Sequence, residues 1–431
     1  MRRADHERLA RTGPGTPMGN LLRRYWVPAL LSEEVREPDG APVRVRLLGE
    51  RLVAFRGADG QVGLLGEHCA HRGASLYFGR NAGCGLRCAY HGWKYDLAGN
   101  CLEMPNEAPS SRFKAKIHQT AYPCVEQAGV VWAYLGPAEC QGSLPELEYL
   151  LVPDSHVYVS KRLQECHWTQ GMDGDLDSSH VPFLHGSLLH GHEATNGADG
   201  ESWEAHVSGD NAPKIEARET AYGLLLGARR GAGPGYHYWG INQWLMPWYT
   251  MIPPWTGDGP IAGHAWVPID DAHCWAYAFT WHPTRPLTTA ERAEMLTRPD
   301  GMYSELMPGT YRPRRGRETD YADPAWPPEA YRMQRIRYFQ DQDVAITESM
   351  GARYDRTQEH LGPADRIIIQ VRKRLLGAAR ALQKGTAPPG PAPADYRVRQ
   401  LSIRLPRTVA DWQEAVAPHL AAYPETFIAS A

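Results

Sequence analysis

Two short segments of this sequence each pair one cysteine with one histidine. Cys69 and His71 lie in the run CAHRG, and Cys88 and His91 lie in the later run CAYHGWKYD. Thiolate sulfur and imidazole nitrogen are ligands of both zinc and iron. Zinc fingers, however, pair cysteine with cysteine and histidine with histidine at fixed intervals. One residue of each kind in each segment instead favours a cluster with one iron held by two cysteines and the other by two histidines.

The positions around these four residues indicate the kind of iron–sulfur centre. Two cysteines and two histidines are the ligand set of a Rieske 2Fe-2S centre. Respiratory Rieske proteins have a further cysteine in each ligand loop and join the two by a disulfide, whereas the neighbouring positions here are not cysteines. We expect few hydrogen-bond donors to the cluster sulfurs, and therefore a low reduction potential. Such a cluster suits the delivery of electrons to an oxygen-activating iron.

A second possible metal site follows in the run DGDLDSSHVPFLH, which begins at Asp173. Asp177 precedes His180 by three residues, and His185 follows His180 by five. Residues three apart share a helix face, but residues five apart are about 140° apart on a regular helix. Pro182 lies between the histidines and favours a bend that would bring them together. Two histidines and a carboxylate on one side of an iron form the facial triad of non-heme oxygenases, although paired histidines near a proline are also ordinary helix-end residues.

Four further runs complete a family pattern: GPGTPMGNLLRRYW, VVWAYLGP, QDVAITESMG from Gln342 and DRTQEHLG from Asp355. Together with the two motifs above, they make this sequence resemble the oxygenase component of a Rieske non-heme iron oxygenase. Within that group it is most similar to the phthalate dioxygenase type. The resemblance spans nearly the whole chain, and we expect only about the last forty residues to fall outside it.

This resemblance implies a role for each matching residue. It implies four ligands of the 2Fe-2S cluster and two of a mononuclear Fe(II): Cys69, His71, Cys88, His91, and then His180 and His185. Asp177 matches the carboxylate that joins an iron-binding histidine to a cluster histidine of the neighbouring subunit. Asp343, five residues before Glu348, matches the third iron ligand. Asp341 is the alternative, and for either aspartate a helix N-cap is the ordinary role.

The resemblance also implies a reaction and its partners. Electrons would arrive singly from a flavin and 2Fe-2S reductase that oxidises NAD(P)H. O2 would be activated at the mononuclear iron to hydroxylate a small aromatic substrate, and we expect an aromatic carboxylate. The cluster nearest each iron would belong to the adjacent subunit, so we expect a head-to-tail homotrimer or hexamer. O-demethylation of a methoxylated aromatic acid would use the same metal ligands. A Rieske electron-transfer protein, the alternative from another class, would need no second metal site.

Three further residues are candidates for contact with the substrate. Arg229 and Arg230 lie on a predicted strand near the position where the phthalate type holds a substrate carboxylate, which a guanidinium can bind bidentately. A solvated strand edge is the ordinary alternative. His167 stands where the family commonly has asparagine, and it could shape the surroundings of the iron or simply be a buried core residue. Aromatic residues between positions 236 and 255 could line a flat pocket or form plain core.

Composition limits the remaining function classes. The chain has 431 residues, 42% of them hydrophobic, and a net charge of -3 without a long block of one sign. This balance argues against nucleic acid as a partner. No apolar run approaches the roughly 18 residues that span a bilayer, and the N-terminus lacks an apolar segment of the secretory kind. We therefore expect no membrane association, a cytoplasmic location, and reduced cysteines outside the cluster.

The pattern of short elements predicts an α+β fold with two domains. From Val43 to Gly136, β-rich runs broken by glycine indicate an antiparallel β Rieske domain. A helix-grip-like α+β catalytic domain with an antiparallel sheet follows, with helices predicted over 164–185, 335–351 and 364–384. The predicted boundaries are an N-terminal helical segment packing on the catalytic domain (1–40), the Rieske domain (41–145), the catalytic domain (146–385), and a Pro/Ala-rich linker with a C-terminal tail (386–431).

Overall fold

The computed structural model describes residues 1–186, 203–254, 259–297, 303–322, 336 and 338–422. The chain forms two compact units. The large unit comprises Met1–Ala10, Leu144–Trp266 and Ala272–Ala431, and the small unit comprises Arg11–Ser143 and Val267–Asp271. Within the described ranges, no helix is both long and apolar enough to cross a membrane.

The elements are numbered in chain order. The helices are α1 (Arg3–Ala10), α2 (Pro17–Leu22), α3 (Glu148–Leu151), α4 (Trp168–Leu176), α5 (Val181–Leu184), α6 (Trp203–Gly209), α7 (Thr289–Thr297), α8 (Phe339–Ser349), α9 (Arg366–Gln383) and α10 (Trp412–Leu420). The strands are β1 (Trp26–Leu31), β2 (Val43–Leu47), β3 (Glu50–Arg56), β4 (Val62–Gly66), β5 (Arg80–Asn81), β6 (Leu86–Arg87), β7 (Lys94–Tyr95), β8 (Cys101–Glu103), β9 (Ala121–Tyr122), β10 (Cys124–Gln127), β11 (Val130–Tyr134), β12 (Val157–Gln164), β13 (Lys214–Glu219), β14 (Gly223–Gly231), β15 (Tyr236–Leu245), β16 (Tyr249–Ile252), β17 (Ile261–Pro268), β18 (Cys274–Trp281) and β19 (Leu401–Pro406).

The small unit is built from three antiparallel sheets. Their strand orders are β1-β11-β10, β2-β3-β4-β9 and β5-β6-β7-β8. The third sheet and the ends of β3 and β4 bury one apolar cluster, which includes Trp93, Leu76 and Leu86 as well as Cys69 and Cys88. The residues predicted to bind the 2Fe-2S cluster therefore stand on a packed core, which holds their loops in place.

The large unit is built on one antiparallel sheet with the order β12-β18-β17-β16-β15-β14-β13, and β19 pairs with β15. Helix α8 is fixed both to this sheet and to α4. Gln164 Nε2, at the end of β12, donates to Thr347 Oγ1 at 2.7 Å, and Gln170 Nε2 of α4 donates to Thr347 O at 2.9 Å. The predicted α+β class is confirmed. The helix predicted over 164–185 is broken into α4 and α5. The helix predicted over 335–351 is observed as α8, which begins four residues later than predicted; residues 335 and 337 lie outside the described ranges.

The structure differs from the predicted boundaries at both ends of the chain. Residues 11–40, expected to join the catalytic domain, lie in the small unit, because the fully buried strand β1 pairs with β11. Residues 386–431 were expected to form a linker and tail. Instead, β19 extends the large sheet, and Trp412 of α10 stacks on Trp239 of β15 with ring centroids 4.7 Å apart. These partners are distant in sequence, so the periodicity of either segment alone does not show the pairing.

Helix α4 approaches the sheet closely at Gly171. A Cβ atom at this position would lie 2.1 Å from a ring carbon of Trp266 on β17. Only a residue without a side chain allows this contact, because protein cores are close-packed and leave no room for an added methyl group. The height of α4 above the sheet therefore depends on this glycine.

We expect Gly171→Ala to destabilise the large unit by about 1–3 kcal/mol, the usual cost of overpacking a core. Gly377→Ala is the matched control, because Gly377 also lies in a helix but an added Cβ would meet nothing within 4 Å. There, the better helix propensity of alanine should raise stability by about 0.5–1 kcal/mol. The melting temperatures of both variants are the measurement. An equal change in melting temperature for the two variants would show that the close contact of Gly171 with Trp266 does not affect stability.

Candidate metal centres and substrate pocket

The two predicted cluster segments fold into loops of the same design. In the first, Cys69 N donates to Ala74 O at 2.9 Å, and Gly73 N donates back to Cys69 O at 2.9 Å. The corresponding bonds of the second loop, around Cys88 and Gly92, are 2.8 and 3.1 Å. Both glycines have positive φ, 73° and 75°, a backbone conformation that glycine adopts without a steric penalty. Each glycine thus closes a tight loop that presents one cysteine and one histidine.

The four predicted ligands occur together in the small unit. The side chains of Cys69 and Cys88 are buried, with 3% and 4% of their surface exposed, and both thiols are free. His71 and His91 are half-buried, and their ring centroids are 4.5 Å apart. His71 also stacks on Trp93 at 4.3 Å. Two buried sulfurs beside two outward imidazoles fit a 2Fe-2S cluster whose His-bound iron faces the surface.

One hydrogen-bond donor to this centre was missed by the sequence analysis. The hydroxyl of Tyr95 lies 3.1 Å from Cys69 Sγ. Burial raises the pKa of both the Cys69 thiol and the Tyr95 phenol, so the phenol is protonated and can donate to a metal-bound thiolate. Such a bond raises a cluster potential. The argument for a low potential considered only loop residues, whereas Tyr95 lies on β7.

The second predicted site brings together two histidines and one aspartate. The Nε2 atoms of His180 and His185 are 3.2 Å apart, and Asp343 Oδ1 lies 3.5 and 3.2 Å from them. These atoms form a group that could hold one metal ion. Metal–ligand bonds of about 2.1 Å at right angles place adjacent donor atoms about 3 Å apart. The donor set and its spacing therefore fit a facial triad.

The break between α4 and α5 explains how residues five apart in sequence converge. Helix α4 ends at Leu176, and α5 begins at Val181 with Pro182 in its first turn. His180 precedes α5 and His185 follows it. The chain therefore turns between the helices, as the proline predicted, and the two imidazoles point to one place. Helix α8 supplies Asp343 from the opposite side.

Charge favours the ionised form of the aspartate. Burial alone would raise the pKa of Asp343, but the neighbouring imidazoles of His185 and His180 hold it well below its ordinary range. Burial likewise lowers the pKa of His180, and the hydrogen bond and charge of Asp343 more than offset this, so the net shift is upward. An ionised carboxylate between two imidazoles is the state that a divalent metal requires of its ligands.

The structure distinguishes the two aspartates of α8. Asp341 is buried and accepts a hydrogen bond from Arg315 Nε at 2.6 Å, so it belongs to an ion pair away from the triad. Asp343 alone of the two faces His180 and His185. Glu348, five residues later, accepts from Glu165 N at 2.8 Å and ties α8 to the start of the α4 segment.

Neighbouring groups orient the histidines differently. His185 Nδ1 lies 2.7 Å from Oε1 of Gln342, and its ring stacks on Phe339 at 3.5 Å. For His180, Nδ1 lies 3.8 Å from Asp177 Oδ2. The other oxygen of Asp177 accepts from the backbone N and the hydroxyl of Ser179 at 2.7 and 2.6 Å. Asp177 thus faces His180 with one oxygen while the other is held within its own loop.

A pocket adjoins the triad on one face of the large sheet. The described residues enclose about 790 Å³ of empty space there, counted to its open mouth. Its lining is mostly apolar and includes side chains from α4, α5, α6, α8 and strands β14 to β17: Asp175, Asp177, His180, Val181, Val207, Arg230, Tyr238, Asn242, Ile252, His264, Phe339 and Asp343. An apolar pocket with a few polar groups beside a metal triad can bind a small organic molecule.

Successive residues of a strand face opposite sides of a sheet, and this separates the two candidate arginines. Arg230 lines the pocket, where its guanidinium donates to Asp210 O and to the carbonyl and hydroxyl of Ser178. Arg229 lies on the other face, over the ring of Trp239 at 5.7 Å. Of the two predicted substrate arginines, the structure therefore places Arg230 in the pocket wall and Arg229 outside it.

His167 does not line the pocket either. It precedes α4 as its N-cap, with Nδ1 2.8 Å from the hydroxyl of Thr169, and its side chain is buried. The ordinary role of a buried residue, here at the start of α4, describes the position of His167. Of the aromatic residues predicted as pocket lining, Tyr238 borders the pocket, several others are core, and Trp255 lies outside the described residues.

A buried carboxylate organises the floor of the pocket. Asp175 Oδ2 accepts from Thr250 Oγ1 at 2.5 Å, His264 Nδ1 at 2.8 Å and Trp266 Nε1 at 2.7 Å. The side chain of His264 is 1% exposed, and its Nε2 has no hydrogen-bond partner among the described residues. Sequence reasoning missed His264, because nothing near it in the chain marks it as functional.

Two protein-family models match the chain. The Rieske [2Fe-2S] domain model matches residues 25–123, and the model described as LigXa C-terminal domain like matches residues 133–418. The second match includes β19 and α10. The prediction that about the last forty residues fall outside the resemblance is therefore wrong.

Relatives extend this agreement over the chain. The 3-chlorobenzoate-3,4-dioxygenase oxygenase subunit of Comamonas testosteroni is 37% identical over 428 residues, covering 95% of this chain and 96% of the relative. The phthalate 4,5-dioxygenase oxygenase subunit of Pseudomonas putida is 36% identical over 389 residues, covering 88% and 86%. The structure of dicamba monooxygenase bound to dicamba has the same fold, with a TM-score of 0.58 at 16% identity over 85% of this chain and 99% of that one. The chain thus belongs to the Rieske non-heme iron oxygenases, as an oxygenase component of the phthalate dioxygenase type with a 2Fe-2S cluster and a mononuclear iron as cofactors.

Proposed function

We propose that this oxygenase hydroxylates a small aromatic carboxylate bound in the pocket beside His180, His185 and Asp343. The observation that carries the proposal is the pocket itself, an apolar cavity that opens onto the triad and has Arg230 and His264 in its wall. The named activities of the two relatives, on 3-chlorobenzoate and phthalate, support an aromatic acid as the substrate.

We assign the mononuclear iron to His180, His185 and Asp343, and the 2Fe-2S cluster to Cys69, His71, Cys88 and His91. When bound, the iron supplies O2 activation with electrons that the cluster delivers. The chain contributes placement. Phe339, stacked on His185, forms an apolar wall next to the triad, and apolar side chains from α5, α6 and β16 exclude water around an aromatic ring.

His264 and Arg230 are suited to hold the carboxylate of the substrate. Asp175 accepts from His264 Nδ1, which leaves Nε2 as the ring atom available to a ligand. In the imidazolium form of His264 both ring nitrogens donate, so that Nε2 can donate to a carboxylate while Nδ1 still donates to Asp175. Arg230 is 2% exposed and brings a positive charge to the same wall. A buried polar atom without a partner is costly unless a ligand satisfies it. A carboxylate bound between these groups would leave the ring beside the triad.

Asp177 is the proposed electron route between subunits. Asp177 and His180 also border a second opening beside the triad, whose apolar lining includes Ile346, Met350 and Leu361. These three side chains are 39–46% exposed, which is unusual for apolar residues near a charged site. A cluster histidine of a neighbouring subunit docked there would complete the bridge, in a head-to-tail homotrimer or hexamer.

The electron donor would be a flavin and 2Fe-2S reductase that oxidises NAD(P)H. Because that nucleotide is an intracellular reductant, we place the protein in the cytoplasm. In this arrangement the small unit serves as the cluster domain and the large unit as the catalytic domain, close to the predicted division at residue 145.

The purified protein should contain about three irons per chain, two in the cluster and one mononuclear. Asp343→Ala should lose the mononuclear iron and keep the visible absorption of the cluster, whereas Cys88→Ser should bleach it. Asp341→Asn is the matched control on the same helix, because its ion pair with Arg315 supports the fold without touching the triad. Metal analysis measures the iron content of each variant, and absorption spectra report the cluster. Retention of the third iron by Asp343→Ala would contradict the assignment.

Asp177→Asn should keep both metals, the oligomer and reduction of the cluster by the reductase, yet lose nearly all product formation. The amide retains the shape of the side chain but cannot serve as a charged acceptor between two imidazoles. Ser179→Ala, which removes only one hydrogen bond to Asp177, should give a smaller loss. Single-turnover oxidation of a pre-reduced cluster is the measurement. Wild-type turnover by the Asn variant would show that Asp177 is only a structural cap and does not take part in electron transfer.

His264→Asn should weaken binding of a chlorobenzoate about ten- to a hundred-fold, since a hydrogen bond to a charged group contributes about 1.5–3 kcal/mol. Asparagine keeps a donor for Asp175 near the position of Nδ1 but has no atom at Nε2, so the variant isolates the atom that faces the ligand. Binding of the matching chlorobenzene should not change. Arg229→Met serves as the control, because Arg229 lies on the other face of the sheet. Equal loss for acid and arene would exclude the carboxylate role.

A further inference from the structure

Gln342 lies immediately before Asp343 on α8 and contacts the ring edge of His185 that faces away from the triad. Its Oε1 is 2.7 Å from His185 Nδ1, and its Nε2 donates to Ile336 O at 2.9 Å. The carbonyl of Ile336 can only accept, so the NH2 group of the amide must point to it. The oxygen therefore faces the histidine, and His185 Nδ1 must carry the proton. Nε2 of His185 is then left with its lone pair, directed at the triad.

The second histidine has no equivalent partner. Among the described residues, His180 Nδ1 makes no side-chain hydrogen bond, and Asp177 Oδ2 at 3.8 Å is too distant for one. His185 is also the more enclosed of the two, with 0% of its side chain exposed against 24% for His180. One ligand of the triad is thus held within the fold on every side, while the other is left adjustable.

We propose that Gln342 is a positioning residue for the mononuclear metal. By accepting from Nδ1, it fixes both the tautomer and the orientation of His185, so that Nε2 is presented to the metal. Residues 342 and 343 are adjacent on one helix and are therefore rotated by about 100° from each other. A single turn of α8 supplies one ligand directly, through Asp343, and orients a second through Gln342.

The packing of α8 sets the positions of two donor atoms of the triad, one on Asp343 and one on His185. Helix α8 is tied to both β12 and α4 through Thr347. The hydroxyl of Thr347 accepts from Gln164 of β12 at 2.7 Å, and its carbonyl accepts from Gln170 of α4 at 2.9 Å. The same packing that holds the helix therefore sets two of the three donor atoms at once. Groups that orient a metal-binding histidine typically contribute 10–100-fold in metal affinity.

The inference rests on the proposed role of the triad, and its test uses metal binding rather than turnover. Cluster-loaded protein, stripped of mononuclear iron, is titrated with Fe(II) under anaerobic conditions, and the site is observed by electron paramagnetic resonance of its nitric oxide adduct. Gln342→Leu should weaken Fe(II) binding about 10–100-fold and change the line shape of the adduct, because the ring of His185 can rotate or adopt the other tautomer.

Gln170→Leu is the matched control. Gln170 is another buried glutamine at the contact of α4 and α8, and its Nε2 donates to Thr347 O and Gly351 O without touching a ligand. This variant should lower thermal stability but retain the affinity and spectrum of the wild type. If Gln342→Leu does not fold, Gln342→Asn gives the same test, since its amide is one methylene too short to reach His185.

Three outcomes would overturn the inference. Wild-type affinity and line shape in Gln342→Leu would show that Gln342 only fills space. An equal loss of affinity in Gln170→Leu would assign the effect to general destabilisation. Wild-type protein that binds no Fe(II) at the triad would overturn the proposed function and this inference together, whereas the first two outcomes leave the proposed function intact.

Discussion

The carboxylate of Asp175 is the contact on which the large unit depends. It lies at the end of α4 and accepts hydrogen bonds from three side chains of the sheet, those of Thr250, His264 and Trp266. A buried carboxylate is tolerated only when its oxygens are well satisfied, so the end of α4 must lie where these donors converge. Asp177 and His180 follow within five residues, and their position is set by that anchor.

The same anchor joins the metal triad to the substrate pocket. Thr250 and Trp266 fix the carboxylate from below, while His264 extends from it into the pocket wall. A ligand that contacts His264 is therefore connected through the His264 side chain to Asp175, which lies two residues before Asp177. Close approach at Gly171, where the ring of Trp266 lies under α4, holds this layer together. The pocket wall, the hydrogen bonds of Asp175 and the chain segment that carries the metal donors therefore pack against one another in this order.

In the small unit, the predicted cluster ligands are positioned mainly by local backbone contacts. Each cluster loop is closed by backbone hydrogen bonds and a glycine with positive φ, so its shape follows from a few adjacent residues. Beneath the loops, the core that contains Trp93 and Tyr95 fixes the cysteines and provides a hydroxyl near Cys69. The loops determine which metal centre can form, and the core influences its potential.

The sequence by itself determined the features that depend on neighbours in the chain. The cysteine and histidine pairs, the bend at Pro182 and the amphipathic helix α9, observed at Arg366–Gln383 where 364–384 was predicted, are all local patterns. The sequence offered both Arg229 and Arg230 as substrate contacts, because strand periodicity does not show which face of the sheet carries the pocket. That choice depends on whether helix α10 or helix α4 covers each side of the sheet.

Only the tertiary structure decided the contacts between distant residues. Asp341 and Asp343 differ because Arg315 pairs with one and the two histidines with the other. His264, Gln342 and the pairing of β19 with β15 likewise join positions far apart in the chain. Side-chain type and periodicity report which face of an element is apolar, whereas the partner on that face is chosen by packing and by the need to satisfy every buried polar group. For this reason the candidate metal ligands, Asp177 and Arg230 could be named from the sequence, while Gln342 and His264 could not.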